Sequence, residues 1–196
     1  MTKTLRSLSL LAGLAIMSFA VSGCTVNIGA GDNTPMGNNG MMGDGSAEFS
    51  TMDIMFAQMM IPHHQQAVDM GNLAETRASN AEVMELALQI RDEQAPEIEQ
   101  MKGWLPPGGG SEHMGHDMGM DGMLSGEEFA ALEAASGAEF DRLFVAGMIA
   151  HHEGAIQMTQ MISDSANAEV RTLAEAIVTS QTAQIVTLKE LLANLP

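Results

Sequence analysis

The chain has 196 residues, 45% of them apolar, and 8 Lys and Arg against 25 Asp and Glu give a formal charge of −17. That length holds one domain with a real core, and a polyanion of this kind repels phosphate backbones, which argues against nucleic acid as a partner. One Trp and no Tyr leave little aromatic surface for stacking bases or sugars, whereas 19 methionines and six histidines stand out.

In chain order, Lys3 and Arg6 precede an apolar run from Leu8 to Val21. The run is too short to span a bilayer as a helix and suits a secretory signal. It ends Val21-Ser22-Gly23-Cys24, which resembles the bacterial lipobox, where a signal peptidase cuts before a lipid-carrying cysteine. Cys24, the sole cysteine, is the expected lipidation site, with residues 1–23 removed and the remainder tethered outside the cytoplasmic membrane. Thiolates are readily lost to oxidation there, so a soft-metal protein has reason to use Met. Residues 24–48, rich in Gly, Asn and Met and without helical or strand period, read as a flexible tether.

Residues 49–196 contain two copies of one pattern. Asp53-x-x-Phe56-x-x-x-Met60-Ile61-Pro62-His63-His64-x-x-Ala67-Val68-x-Met70 recurs as Asp141-x-x-Phe144-x-x-x-Met148-Ile149-Ala150-His151-His152-x-x-Ala155-Ile156-x-Met158 at an offset of 88. Further on, Asn80-Ala81-Glu82-Val83 recurs as Asn167-Ala168-Glu169-Val170, and Ile90, Gln94 and Ile98 recur as Ile177, Gln181 and Ile185, at an offset of 87. Two copies of a helix pair predict an all-α fold, a four-helix bundle built from two duplicated helical hairpins, repeat 1 over 49–105 and repeat 2 over 125–196. Val83, Leu86, Ile90, Ile98 and Met101 share one helical face, as do Val170, Leu173, Ile177, Ile185 and Leu188. Ser79-x-x-Glu82 and Ser136-x-x-Glu139 read as capping boxes that start the second and third main helices, and Ser125-x-x-Glu128 starts a short one. Pro62 removes an N–H inside the first His helix and is expected to kink or restart it. Between the repeats, residues 106–124 form an irregular stretch holding His113, Met114, His116 and Met118, a candidate capture loop for metal ions.

At 100° per residue, Met60, His63, Ala67 and Met70 lie within about 80° of one another, and His64 only slightly beyond. Met148, His151, Ala155, Met158 and His152 repeat that geometry. If the two His helices face each other, both Met/His stripes point into one layer. Thioethers favour Cu(I) and Ag(I), and imidazole suits Cu in either state, Zn and Ni, so the mixture favours copper, with Ag or Zn as possible substitutes. A di-iron bundle needs Glu-x-x-His and a catalytic zinc helix needs His-Glu-x-x-His; neither occurs. Individually, Met70, Met84, Met101, Met158 and Met161 also suit a bundle core. Asp53 and Asp141 are better placed to cap or pair than to ligate, and Gln94 and Gln181, on apolar faces, could bond an imidazole N–H.

At these residues the sequence resembles the family known as domain of unknown function 305, whose hallmark is Met-Ile-x-His-His-x-x-Ala-(aliphatic)-x-Met, often duplicated. Met60 to Met70 and Met148 to Met158 both fit, over about residues 49–195. The resemblance implies a secreted bacterial protein with a ferritin-like four-helix arrangement and copper-binding relatives. It carries over Met60, His63, His64, Met70, Met148, His151, His152 and Met158 as candidate ligands. Gln65-Gln66 against Glu153-Gly154, and Met101 against Leu188, are departures that predict unequal halves.

The expected function is copper capture, sequestration or handover by an extracytoplasmic lipid-anchored protein without turnover. The competitors are a copper oxidase or reductase using adjacent ions and a metal-free structural bundle of the envelope. The expected partners are the metal ion, the membrane through its lipid, a copper-delivery protein, and a second copy packed through Met-rich faces.

Overall fold

The computed structural model describes residues 48–107 and 121–196. The signal, Cys24 and nearly all of the tether, together with His113, Met114, His116 and Met118, lie outside the described residues.

Local chemistry sets the helix starts. Ser50 caps α1 (Thr51–Arg77) through a capping box: its hydroxyl accepts from the Asp53 N–H and Asp53 accepts from the Ser50 N–H. Helix α2 (Ala81–Lys102) is capped by Asn80, whose side chain accepts from Glu82 and Val83 N–H, and α5 (Ala168–Asn194) by the sequence-matched Asn167. The expected Ser79 box is not formed, because Ser79 is drawn away: its N–H and hydroxyl, with the Asn80 N–H, donate to the buried Asp141 carboxylate. The Ser125 box does start the short α3 (Gly126–Ala134). The Ser136 box does not start α4 (Ala138–Thr159), whose N-cap is Gly137 at φ 66°, a left-handed conformation that glycine alone adopts at little cost. There the backbone makes the joint, Gly137 N–H donating to the Arg77 carbonyl at 2.8 Å. A 3₁₀ turn, Gln160–Ile162, ends α4.

Pro62 does not restart α1, which runs unbroken from Thr51 to Arg77, and α2 likewise runs through Pro96. The lost hydrogen bond is offset by burial on both sides of the proline: Phe56, Ala57, Met60 and Ile61 before it, His63, His64, Ala67 and Met70 after it.

Among the described residues every regular element is helical. Helices α1–α2 and α4–α5 form two hairpins that pack through α1 and α4, all within the compact unit Gly43–Pro196. The core has two apolar clusters. One gathers Ala67, Met70, Ile90, Phe140, Phe144, Met148 and Leu188, the other Phe56, Met60, Ile98, Met101, Ala155, Met158 and Ile177. Residues before His63 on α1 thus share a cluster with residues after His152 on α4, so the helices cross antiparallel at their His pairs. Burying a side chain of the Leu or Phe class contributes about 1.5–3 kcal/mol, which makes the clusters the main source of stability. Ile185, expected inside, is only half-buried, and its neighbour Gln184 is buried instead. No described helix is long and apolar enough to cross a membrane.

Candidate metal centre

All four paired histidines, residues of a type only intermediate in its tendency to be buried, have no solvent exposure. His63 of α1 and His151 of α4 meet with ring centroids 3.8 Å apart and planes at 40°, while His64 and His152 stand 6.4 and 6.3 Å from their sequence neighbours. Of the two stripes read from the sequence, the His pairs meet, while the methionines divide between the apolar clusters, Met60 and Met158 in one and Met70 and Met148 in the other. Met60 and Met148, each one turn before its His pair, are fully buried, as is Met70, and Met158 is 6% exposed. Met70 and Met158 lie about two turns from the His pairs along their helices and pack within the apolar clusters, one in each.

The outer histidines are each oriented by a hydrogen bond from the neighbouring hairpin helix. His64 Nε2 lies 2.8 Å from the Glu97 carboxylate of α2, and His152 Nε2 lies 2.8 Å from Gln184 Oε1 of α5. Gln184 Nε2 in turn donates to Glu93 at 2.7 Å, which fixes which end of the amide faces the imidazole. Both acceptors require Nε2 to carry a proton, so in the neutral tautomer of His64 and of His152 it is Nδ1 that holds the free lone pair. Neither Nδ1 has a partner, nor does any ring nitrogen of His63 or His151.

The partners expected for the imidazoles were Gln94 and Gln181, and they do not serve. Both are buried, yet neither atom of the Gln94 amide and not the Gln181 oxygen finds a hydrogen bond. Glu97 and Gln184 occupy matching positions at the offset of 87 already seen in these helices, three residues after Gln94 and Gln181. Their polarity one step from the apolar Ile98 and Ile185 was the available signal. Asp53 does cap α1, and Asp141 does pair with the turn before α2.

Burial pushes the His63 pKa down to about 3, with the neighbouring His64 adding to the shift. The Asp121 carbonyl opposes it from beside the ring, without closing a hydrogen bond of ordinary geometry. His151 is lowered well below its ordinary value by burial, then by His63. His152 falls to about 4 through burial, with the Gln184 bond working against the shift. These three imidazoles are neutral at pH 7, the form that donates a lone pair to a metal.

Six buried ring nitrogens without partners are costly, about 1–3 kcal/mol for each such group. Each neutral ring has one lone pair and one N–H, so a cation that accepts the lone pairs relieves the cost at one nitrogen of each ring. Among the described residues no three His, Cys, Asp or Glu side chains already converge as a chelate, so the rings would have to turn to share an ion. Neutral imidazoles and neighbouring thioethers fit a soft or borderline ion such as Cu(I) or Cu(II), and offer little to a hard cation.

Gln66 and Gly154, the departures between the copies, build a seat beside this layer. Gln66 is buried, accepts from the Leu124 N–H at 2.8 Å and donates to the Leu124 carbonyl at 2.9 Å. Opposite it, a Cβ on Gly154 would collide with the Asp121 carbonyl oxygen, and one on Gly122 with the Ala150 carbonyl oxygen. Residues 121–124 therefore lie against both His helices.

With this geometry, the duplicated motif acquires relatives. The chain matches the family described as domain of unknown function (DUF305) over residues 53–192. It belongs to that family. A DUF305 fragment from Deinococcus radiodurans is 34% identical, with a TM-score of 0.68, the match covering 76% of this chain and all (100%) of that one. A DUF305 protein from Streptomyces coelicolor, described as a candidate secreted protein, is 30% identical with a TM-score of 0.65, over 72% of this chain and 92% of that one. CopM in a Cu(II)-bound form is 34% identical with a TM-score of 0.60, over 72% of this chain and 96% of its own, and similar CopM structures are Cu(I)-bound and Ag-bound. No curated protein matches the chain.

Proposed function

We propose that this DUF305 protein binds copper, chiefly as Cu(I), in the layer between α1 and α4, and holds it outside the cytoplasmic membrane for sequestration or handover. The observation that carries this reading is the set of six partnerless ring nitrogens on four wholly buried histidines. His63, His151 and the Nδ1 atoms of His64 and His152 would supply the imidazole donors, with Met60 and Met148 as nearby thioethers. Met70 and Met158 would complete the soft lining. The copper- and silver-bound forms of CopM support the metal class, and silver substitution is expected here as well. His113, Met114, His116 and Met118 would collect ions loosely for the layer. Cys24 would carry the lipid, a reading supported by the lipobox-like Val21-Ser22-Gly23-Cys24 and the −17 charge of a chain that cannot adhere to an anionic surface by electrostatics. Binding alone suffices, and no reaction is required.

Competition of the protein against a Cu(I) chelator tests the reading. Replacing His63, His64, His151 and His152 together by Ala should abolish tight binding, with loss of at least about 100-fold in affinity. Unchanged copper uptake and copper tolerance in that variant would leave only an envelope bundle. Oxygen consumption on adding excess Cu(I) would instead favour the oxidase.

A further inference from the structure

The imidazoles are sealed from solvent, so an ion needs a way to them. On α1 the residues Met52, Met55, Met59 and His63 follow at spacings of three, four and four. Side chains three or four apart on a helix are neighbours, with Cβ atoms about 5–6 Å apart. The three methionines lie within about 60° of one another around the axis, and His63 continues the line within roughly 40° of Met59. Burial rises along the row: Met52 is 44% exposed, Met55 40%, Met59 half-buried against the second apolar cluster and His63 not exposed at all. At the end of the row both His63 nitrogens lack a partner. The bundle itself does not require sulfur here, because the matching positions on α4 hold Phe140, Leu143 and Gly147, none of them a donor.

We propose that Met52, Met55 and Met59 form a thioether ladder that binds a thiophilic monovalent cation and passes it to His63, an inference that rests on reading the imidazole layer as a metal centre. Thioethers are neutral and soft, so they hold Cu(I) or Ag(I) and discriminate against hydrated divalent ions. Flexible Met side chains at one-turn spacing let one sulfur take hold before the previous one lets go. The cation then sheds its water in steps, and a chain of charge −17 draws it to the surface.

Ag(I), which undergoes no redox change in this range, is the probe, added to the whole chain carrying ¹³C-methyl methionine, with signals assigned by single Met→Leu variants. The methyl signals of Met52, Met55 and Met59 should move with the first additions, and should still move when His63, His64, His151 and His152 are all Ala. In the variant M52L/M55L/M59L, which conserves side-chain bulk, the imidazole ¹⁵N signals should respond to Ag(I) about tenfold more slowly and to the same final extent. Methyl signals that stay put while the imidazoles take up silver would overturn the ladder and leave the metal centre standing. An unchanged loading rate in the triple variant would overturn the transfer. Silver that moves the methyls and never reaches the rings would overturn the metal-centre reading and the transfer with it.

Discussion

Where α1 carries Gln66, α4 carries Gly154, and where α2 sets Glu97 against His64, α5 sets Gln184 against His152. The two hairpins share the His-His pairs, the flanking Met and the Asn caps, which each copy needs. They differ where something occurs only once. Residues 121–124 have no second copy, so they take a hydrogen-bonding amide from one helix and bare backbone from the other. The carboxylate of Glu97 makes the first outer imidazole more electron-rich than the second, which has only an amide oxygen. Duplication thus supplies the donors twice, and the divergence makes the two halves of the layer chemically unequal.

The largest expected effect strikes what the halves share. In the metal-free protein His63 and His152 have folded pKa values of about 3 and about 4, and His151 is lowered too, against 6.5 when unfolded. Below pH 6.5 the unfolded chain therefore binds more protons, and folding stability falls as pH drops. The loss should be on the order of 1 kcal/mol per histidine per pH unit, flattening near pH 4 for His152 and pH 3 for His63. Urea unfolding of the metal-free protein at pH 7 and pH 5 measures it, and a flat profile would contradict neutral buried imidazoles.

Next come the matched aspartates. Asp141 clamps the α1–α2 turn with bonds from Ser79 and Asn80, whereas Asp53 completes one cap and leaves Oδ1 unpartnered. Asp141→Ala should cost about 3 kcal/mol and Asp53→Ala about 1 kcal/mol, read from denaturant midpoints; equal costs would erase this difference between the halves. Gly154→Ala drives a methyl into the Asp121 carbonyl and should cost about 2 kcal/mol in stability. Proteolysis should then speed up at residues 121–124, and a variant as resistant as the wild type would show that the seat is unimportant. The smallest effect is Glu97→Gln, which makes the first half resemble the second. It should weaken Cu(I) binding about tenfold in a chelator competition while leaving the helical content unchanged. Equal affinity would mean that the outer imidazoles are equivalent.

Much of this was legible. The offset of 88 located both His helices, and 3.6-residue periodicity picked out Val83, Leu86, Ile90 and Met101, which are all buried. The capping boxes were legible in part: Ser125 matched its local pattern, while Ser79 met a stronger acceptor, Asp141, 62 residues away. The same limitation hid Glu97 and Gln184. Gln94 and Gln181 looked like the polar exceptions on apolar faces, yet the imidazoles sit level with side chains one helical turn further on.

What the sequence determined by itself is which donors exist and how they line up along each helix, because helical spacing is a local property of the chain. It also determined that Gln66 against Gly154 would make the halves differ. Only the tertiary structure decided that His63 meets His151, that Glu97 and Gln184 hold the outer rings, and that Glu93 orients Gln184. Those contacts join residues 33, 32 and 91 positions apart for the three hydrogen bonds concerned. They depend on how far one helix is slid and rotated against another, which the packing of the two apolar clusters sets and no local pattern records.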